Sequence, residues 1–169
     1  MNQLIDKKTE KYRYWITYLL KDMPVGGRFN PGVLHITVVP WFVTDMAEAS
    51  LIQSFYDQYS GLSSFDVQVG RQTKFKHKRE VQVNLVEPIP EILQLHATTL
   101  NWINEIGGRW SVKNPHVGDE YVPHIRRRPG NRLSEGQRLH ISSISLIKAL
   151  RQDSNEREVV AKALFNESR

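Results

Sequence analysis

The sequence predicts an α+β fold with largely antiparallel sheets. Its strand and helix patterns run strand, strand, helix, strand, strand, helix and then two or three strands, an order typical of this class. Each half of the chain contains one helical pattern and one strand that carries a histidine. A chain of 169 residues suits one domain, or two small lobes that share a core, and is long enough to fold without disulfides.

The first half begins with two strand patterns. Residues 13–20 are aromatic and β-branched, as is typical of strands. Residues 21–32 are rich in proline and glycine and therefore indicate a loop. Residues 34–39 are β-branched and apolar, and we expect Pro40 to end that strand.

A first amphipathic helix follows the second strand. Asp45 and Glu48 have the spacing of a capping box, which predicts that the helix begins there. Gly61 marks its end. Apolar residues recur between these points at helical spacing, so we expect one face of the helix to pack on a sheet. They are Leu51, Ile52, Phe55, Tyr56 and Tyr59.

The second half repeats the order of strands and helix. Residues 65–69 and 81–86 alternate between apolar and polar, which predicts two strands. A second helix is predicted from Pro90, which suits a first turn, to Gly107 and Gly108. Between the two strands we expect a basic hairpin tip, either to grip an RNA backbone or only to protect a sheet edge. Its basic residues are Arg71, Lys74, Lys76, Lys78 and Arg79.

The last third of the chain contains the remaining strands. Residues 109–120 indicate a polar loop, and residues 121–128 a strand that a turn at Pro129, Gly130 and Asn131 ends. A long strand is predicted over residues 139–150. Residues 157–165 alternate, which favours a strand over a helix.

Two of the strands carry a histidine with a hydrogen-bond donor two residues later. Side chains two apart on a strand point to the same face, so His35 shares a face with Thr37, and His124 with Arg126. Two such strands facing each other across a groove would suit acid–base chemistry on a phosphate, because histidine exchanges protons near neutral pH. The residues expected on the opposite, core face are Leu34, Ile36, Val38 and Ile125.

These two segments resemble known signatures. Residues 34–38, Leu-His-Ile-Thr-Val, resemble the first His-x-Thr motif of the 2H phosphoesterase superfamily, in its 2′-5′ RNA ligase-like (LigT-type) branch. Residues 123–126, Pro-His-Ile-Arg, resemble the second motif, usually Pro-His-x-Thr or Pro-His-x-Ser, and the interval of 89 residues between the histidines is about that of the branch. The resemblance implies a bilobal, pseudo-two-fold fold over residues 1–169 as a single domain, with helices outside and both histidine strands lining a cleft.

The resemblance also implies an activity. Members hydrolyse 2′,3′-cyclic phosphates of RNA ends or small nucleotides without a metal or other cofactor. It implies His35 as the acid that protonates the leaving O3′ and His124 as the base on water. Thr37 and Arg126 would then hold the phosphate oxygens. Arg126 stands where the family usually has Thr or Ser, and a guanidinium can donate to a phosphate bidentately.

Two other functions stay open on the sequence. The first is a non-catalytic RNA- or nucleotide-binding module in which Arg126 binds phosphate tightly. The second is a metal-dependent hydrolase built on His116, Asp119 and His124, although their spacing matches no zinc motif.

The remaining features are less specific. A net charge of +5 favours an anionic partner such as RNA or a nucleotide. The absence of cysteine excludes disulfides and thiolate nucleophiles and fits a reducing compartment. Because we find neither a signal-peptide pattern nor an apolar membrane span, we expect a cytoplasmic monomer that does not bind membranes. Trp41 and Trp110 are candidates for stacking on a base, with packing favoured for Trp41, and His96 is expected in the core.

Overall fold

The computed structural model describes residues 12–168 except 77–78, 114, 131 and 151–154. Lys78 of the predicted basic tip, His77 and Asn131 of the predicted turn therefore lie outside the described residues. Over the described ranges the chain forms an α+β fold with ten strands, two α-helices and one 3₁₀ turn, which confirms the predicted class.

All strand pairings among the described residues are antiparallel. The strands are β1 (Tyr14–Leu19), β2 (Arg28–Phe29), β3 (His35–Val43), β4 (Phe65–Lys76), β5 (Glu80–Val86), β6 (Arg109–Trp110), β7 (His124–Arg126), β8 (Arg138–Ile141), β9 (Ser143–Ala149) and β10 (Arg157–Leu164). The helices are α1 (Glu48–Tyr59) and α2 (Pro90–Glu105), and the 3₁₀ turn is Gly118–Glu120.

The strands form one continuous sheet with two halves. Its order is β2-β10-β9-β1-β3-β7-β5-β4-β8, and β6 pairs separately with β3. The halves meet where β3 pairs with β7, through the single residue pair Ile36 and Ile125. The two sheets expected for a bilobal fold are therefore the two halves of one sheet, and each half contributes one histidine strand at the junction.

One large core serves both halves of the sheet. Leu51, Phe55 and Tyr59 of α1 are fully buried, as their helical spacing predicts. The two helices also contact each other, since the Tyr59 hydroxyl lies 2.7 Å from Thr99 Oγ1 and Trp102 Nε1 donates to Ser54 Oγ at 2.9 Å. A smaller apolar cluster includes Trp15, Leu19, Ile147 and Val159, with Trp41 packed against it.

The expectation that Pro40 ends the second strand is wrong, because β3 continues to Val43. Opposite the single residue Trp15 of β1, two residues of β3 lie between paired positions, namely Pro40 and Trp41. This is a β-bulge, and a strand can accommodate a proline there because the ladder needs no N–H donor at that position.

The predicted capping box is also wrong. Helix α1 begins at Glu48 with Ala47 as its N-cap, and no side chain caps it. Asp45 is paired instead with Arg109 at 3.2 Å, and Glu48 with Lys148 at 2.5 Å. Both carboxylates are therefore taken by cations from distant segments.

Other strand boundaries differ because partners that are distant in sequence determine them. The predicted loops 21–32 and 109–120 contain β2 and β6, and the long strand predicted over 139–150 is interrupted at Ser142. The part before Ser142 pairs with β4 and the part after it with β1 and β10, so the chain crosses between the halves of the sheet there.

The basic segment and the second histidine strand also differ in extent. Arg71, Lys74 and Lys76 belong to β4 rather than to a hairpin tip, and Lys74 is paired with Glu80 at 2.6 Å. The strand predicted over 121–128 is reduced to the three residues of β7. No helix in the described part of the chain is long and apolar enough to span a membrane.

Candidate active site

The pairing of β3 with β7 brings the four predicted site residues together. Ile36 lies opposite Ile125, so continuing this antiparallel register places Thr37 opposite His124, and His35 opposite Arg126. These four side chains share the face opposite the buried Ile36 and Ile125. In an ideal antiparallel pair, directly opposed Cβ atoms are about 4.5–5.5 Å apart, and diagonal neighbours, the relation of His35 to His124, lie up to about 7–8 Å apart.

These residues line two adjoining cavities, which together form the cleft. We call the first, of about 630 Å³, the arginine side; it is lined by His35, Arg79, Arg126, Arg128 and Arg157 among others. The second, of about 600 Å³, is the loop side, lined by residues that include Val112, Lys113, His116, Tyr121 and His124. Thr37 and Pro40 line both cavities. Each histidine therefore belongs to a different side of the cleft, with Thr37 between them.

The two imidazoles are held by the same hydrogen bond. His35 Nδ1 lies 2.8 Å from the carbonyl oxygen of Val33, and His124 Nδ1 lies 2.7 Å from that of Val122. Because a carbonyl oxygen only accepts, each Nδ1 must carry the proton and donate it. In the neutral ring this leaves Nε2 with a lone pair, and Nε2 is the nitrogen available for proton transfer with a substrate.

An aromatic ring also contacts each imidazole. Trp15 of β1 meets His35 edge-on at 4.6 Å between ring centroids, and Phe75 of β4 meets His124 in the same way at 4.8 Å. Such T-shaped contacts restrict the orientation of a ring. Sequence reasoning missed both aromatics, because they come from strands outside the two motifs.

Both histidines have lowered pKa values. Burial lowers the pKa of His35 most, and the positive charges of Arg128, His124 and Arg126 lower it further, against the hydrogen bond to Val33. Burial likewise lowers the pKa of His124, with a smaller contribution from His116. Both imidazoles are therefore more readily neutral than a histidine in water.

The arginine side is rich in positive charge. No Asp or Glu is among the described residues that line it. Arg126 and Arg128 share a face of their segment, and neither forms an ion pair with a described carboxylate. Arg127 alternates with them and instead donates to Gln72 Oε1. Arg128 had a sequence signal, its spacing of two from Arg126, that motif reasoning did not use.

The loop before β7 is tied to β3 through His96. This residue is buried in α2, as expected, and its Nδ1 donates to the Val38 carbonyl oxygen at 2.7 Å. Its Nε2 accepts the backbone N–H of Gly118 at 2.9 Å. The ring of Tyr121 stacks on the imidazole at 3.8 Å, and its hydroxyl donates to the Thr37 carbonyl oxygen at 2.9 Å. The loop side of the cleft is thus built on a buried, neutral histidine.

The structure also bears on the metal-site alternative and on the two candidate tryptophans. The described residues contain no group of three or more His, Asp or Glu side chains placed to hold a metal ion, so His116, Asp119 and His124 do not form one. Trp110 pairs with β3 and packs against the core. Trp41 packs against the smaller apolar cluster, as favoured from the sequence, and also lines the arginine side. The Arg157 guanidinium lies 4.9 Å from the centroid of the Trp41 ring, in a cation–π contact that occupies a face of the indole.

No protein-family model and no curated protein matches the sequence. Solved structures share its fold. A crystal structure of a phosphoesterase is 13% identical with a TM-score of 0.62, over 93% of this chain and 99% of that one. E. coli LigT with 3′-AMP is 12% identical with a TM-score of 0.59, over 94% and 99%. A protein of Thermus thermophilus is 12% identical with a TM-score of 0.59, over 93% and 100%.

At such low identity the likeness shows the fold alone. The chain has a LigT-like fold, which is the fold that the resemblance in residues 34–38 and 123–126 implied. E. coli LigT has also been crystallised with phosphate, NADP⁺ and ATP.

Proposed function

We propose that this protein hydrolyses the 2′,3′-cyclic phosphates of RNA ends or small nucleotides by two-histidine acid–base catalysis that needs no metal. One observation carries the proposal. His35 and His124 stand on paired strands beside Thr37, and a backbone carbonyl holds each Nδ1, so both Nε2 atoms remain for proton transfer. Opening a cyclic phosphodiester requires one proton to be taken from water and one to be given to the leaving oxygen, and this pair provides both.

The proposed reaction proceeds in line. His124 Nε2 takes a proton from water as the water oxygen bonds to phosphorus. The bond between phosphorus and O3′ breaks, and His35, protonated at Nε2, gives its proton to O3′. The product carries a 2′-phosphate. We expect each histidine to contribute roughly 10²–10⁴-fold to the rate.

Negative charge spreads over the non-bridging oxygens in the transition state. We assign Thr37 Oγ1 and the Arg126 guanidinium as the donors to these oxygens, because both side chains flank the histidines on the same face. A donor that is already oriented stabilises this charge without reorganising during the reaction. The arginine side adds a positive potential that favours anionic substrates.

Several observations support the substrate class. The LigT structures that share this fold contain 3′-AMP and phosphate, and the net charge of this chain is +5. A cysteine-free chain suits a reducing compartment, so we propose that the protein acts on RNA or nucleotides in the cytoplasm.

The test is an assay with adenosine 2′,3′-cyclic phosphate and short RNAs ending in a cyclic phosphate, in excess chelator. We expect turnover to the 2′-phosphate, and a loss of roughly 10²–10⁴-fold in His35→Ala and in His124→Ala. The matched control is His140→Ala, because His140 is exposed on β8 and contacts Asp66 and Glu167 outside the cleft.

The outcomes separate the candidate functions. Near-normal turnover in both single variants would refute the assignment of the two histidines. Turnover that chelator abolishes would point to a metal-dependent hydrolase. Tight binding of 2′-AMP without turnover of any cyclic phosphate would identify a binding module. Arg126 and Arg128, in a lining with no described carboxylate, favour this function as the second candidate.

A further inference from the structure

The two sides of the cleft differ strongly in charge. Four guanidinium groups line the arginine side, from Arg79, Arg126, Arg128 and Arg157, and no described carboxylate lines it. The loop side has Lys113 and His116 among mostly apolar residues. One cyclic phosphodiester carries a single negative charge, which is smaller than the charge of Arg126 and Arg128 alone.

Many cations of the described chain form ion pairs with carboxylates, whereas Arg126 and Arg128 form none with a described carboxylate. Lys74, Arg109, Arg138, Lys148 and Lys162 each form an ion pair with a carboxylate. The concentration of arginines in a cavity with no described carboxylate in its lining is therefore a local feature, rather than a consequence of the net charge of the protein.

The arginines of the cleft are also held close to one another. Arg126 lies near enough to Arg128 to lower its pKa, after the larger effect of burial. Arg157 and Arg13 both lie against the Trp41 ring, at 4.9 and 5.4 Å from its centroid, so one indole positions two guanidiniums. Like charges gathered at a half-buried surface oppose each other, and a bound anion relieves that repulsion.

We infer that the arginine side binds a second phosphate of the substrate, at the 5′ position of the nucleotide whose cyclic phosphate reacts at His35 and His124. This inference rests on the proposed function, and it narrows the substrate to nucleotides or RNA ends with at least two phosphates. It agrees in direction with the proposed reaction, in which His35 protonates the leaving O3′. The ribose, and with it the 5′ group, then lies on the side of the cleft that His35 lines.

A substrate with a second phosphate carries more negative charge than a single cyclic diester and therefore matches the positive charge of the arginine side better. A terminal 5′-phosphate adds about −1.5 to −2 at neutral pH and three strong acceptor oxygens, and an internal 5′-phosphodiester adds one negative charge. A guanidinium binds such oxygens bidentately, as Lys does not.

The experiment compares adenosine 2′,3′-cyclic phosphate with its 5′-phosphorylated form, in chelator. We expect kcat/KM to be roughly tenfold to a hundredfold higher for the 5′-phosphorylated substrate, a preference that falls as salt is raised. In Arg128→Gln and in Arg157→Gln this ratio should fall by about tenfold. Arg138→Gln is the matched control, since it removes one positive charge outside the cleft and should leave the ratio unchanged.

A binding measurement distinguishes failure of this inference from failure of the proposed function. By calorimetry, adenosine 2′,5′-bisphosphate should bind more tightly than 2′-AMP, and the difference should shrink in Arg128→Gln. Equal affinities together with equal kcat/KM values would overturn the second-phosphate site while leaving the proposed hydrolysis intact. A bisphosphate preference that depends on Arg128, without hydrolysis of either cyclic substrate, would support the site and refute the proposed function.

Discussion

Replacing His96 by alanine should destabilise the fold much more than replacing an exposed histidine. The substitution removes the bond from His96 Nδ1 to the Val38 carbonyl oxygen and the bond that Nε2 accepts from Gly118. It also removes the partner on which the Tyr121 ring stacks at 3.8 Å, with only 4° between the ring planes.

The magnitude follows from these three contacts. The Val38 carbonyl is in the core and would be left unsatisfied, at a cost of about 1–3 kcal/mol. Gly118 is an exposed residue whose N–H can bond to water instead, so losing that bond costs about 0.5–1.5 kcal/mol. The stacked ring contact adds about 0.5–1.5 kcal/mol. We therefore expect the free energy of unfolding to fall by about 2–6 kcal/mol, a large part of the total for a domain.

Urea denaturation followed by tryptophan fluorescence measures this change. His96→Asn is the informative companion variant, because the asparagine side chain can still donate to Val38 and should recover part of the loss. His140→Ala, at an exposed position, should leave the stability nearly unchanged. A loss below about 1 kcal/mol in His96→Ala, or the same loss in His96→Asn, would refute the reasoning.

The remaining predictions concern the chemistry, acid stability and one buried polar group. Because the pKa values of His35 and His124 are lowered, the pH profile of kcat/KM should peak below about pH 6.5. Arg128 lowers the pKa of His35, so Arg128→Gln should move the alkaline limb, which reports the acid, to higher pH. Movement of the acidic limb would make His35 the base. Thr37→Ala should lower kcat in steady-state kinetics by roughly 10–100-fold, which is less than the loss in His35→Ala or His124→Ala. A larger loss in Thr37→Ala than in either histidine variant would contradict the role of Thr37 as a donor to the phosphate oxygens. Burial also lowers the pKa of His96, so on acidification the unfolded chain binds a proton at His96 before the folded chain does. The stability that neutral His96 contributes is complete above about pH 6.5 and is lost as the pH falls through the lower folded pKa. When unfolding is measured across this pH range, the free energy of unfolding should decline less in His96→Asn. Neither side-chain polar atom of the fully buried Asn84 has a hydrogen-bond partner in the described chain. Asn84→Val should therefore raise the free energy of unfolding, measured by urea titration, by about 1–3 kcal/mol. A lower free energy of unfolding in this variant would show that the amide is hydrogen-bonded in solution.

The sequence predicted the elements whose burial alternates regularly. Strand β3 is an example, since Ile36 and Val38 are buried while His35 and Thr37, which alternate with them, remain half-buried. The period of two in such a strand is set by the core itself, so it is visible without knowledge of the partner strand. The same reasoning holds for the buried face of α1 and its helical period.

Strand ends and caps were less predictable because they depend on partners elsewhere. Pro40 continues a strand only because a bulge forms opposite Trp15, and Ser142 interrupts one only because the two sides of it pair in different halves of the sheet. Glu48 has the spacing of a cap, yet it binds Lys148, which is 100 residues away in sequence. None of these partners is encoded in the local pattern.

The candidate site shows the same division. The i, i+2 spacing placed His35 with Thr37 and His124 with Arg126, and the register of β3 and β7 brings these pairs together. The second group of arginines could not be assembled in this way, because Arg79 and Arg157 belong to other segments and reach the cleft only through the tertiary fold. The aromatic contacts on the two imidazoles have the same origin.

The narrow contact between the halves of the sheet has a consequence for inhibitors. Ile36 and Ile125 are the one described residue pair that joins β3 to β7, and each strand carries one of the two imidazoles. A compound that binds both imidazoles therefore contacts both halves of the sheet and restricts their motion relative to each other. We expect such a compound to slow amide hydrogen exchange on both strands at once, whereas one confined to a single side of the cleft should protect only the strand that it touches.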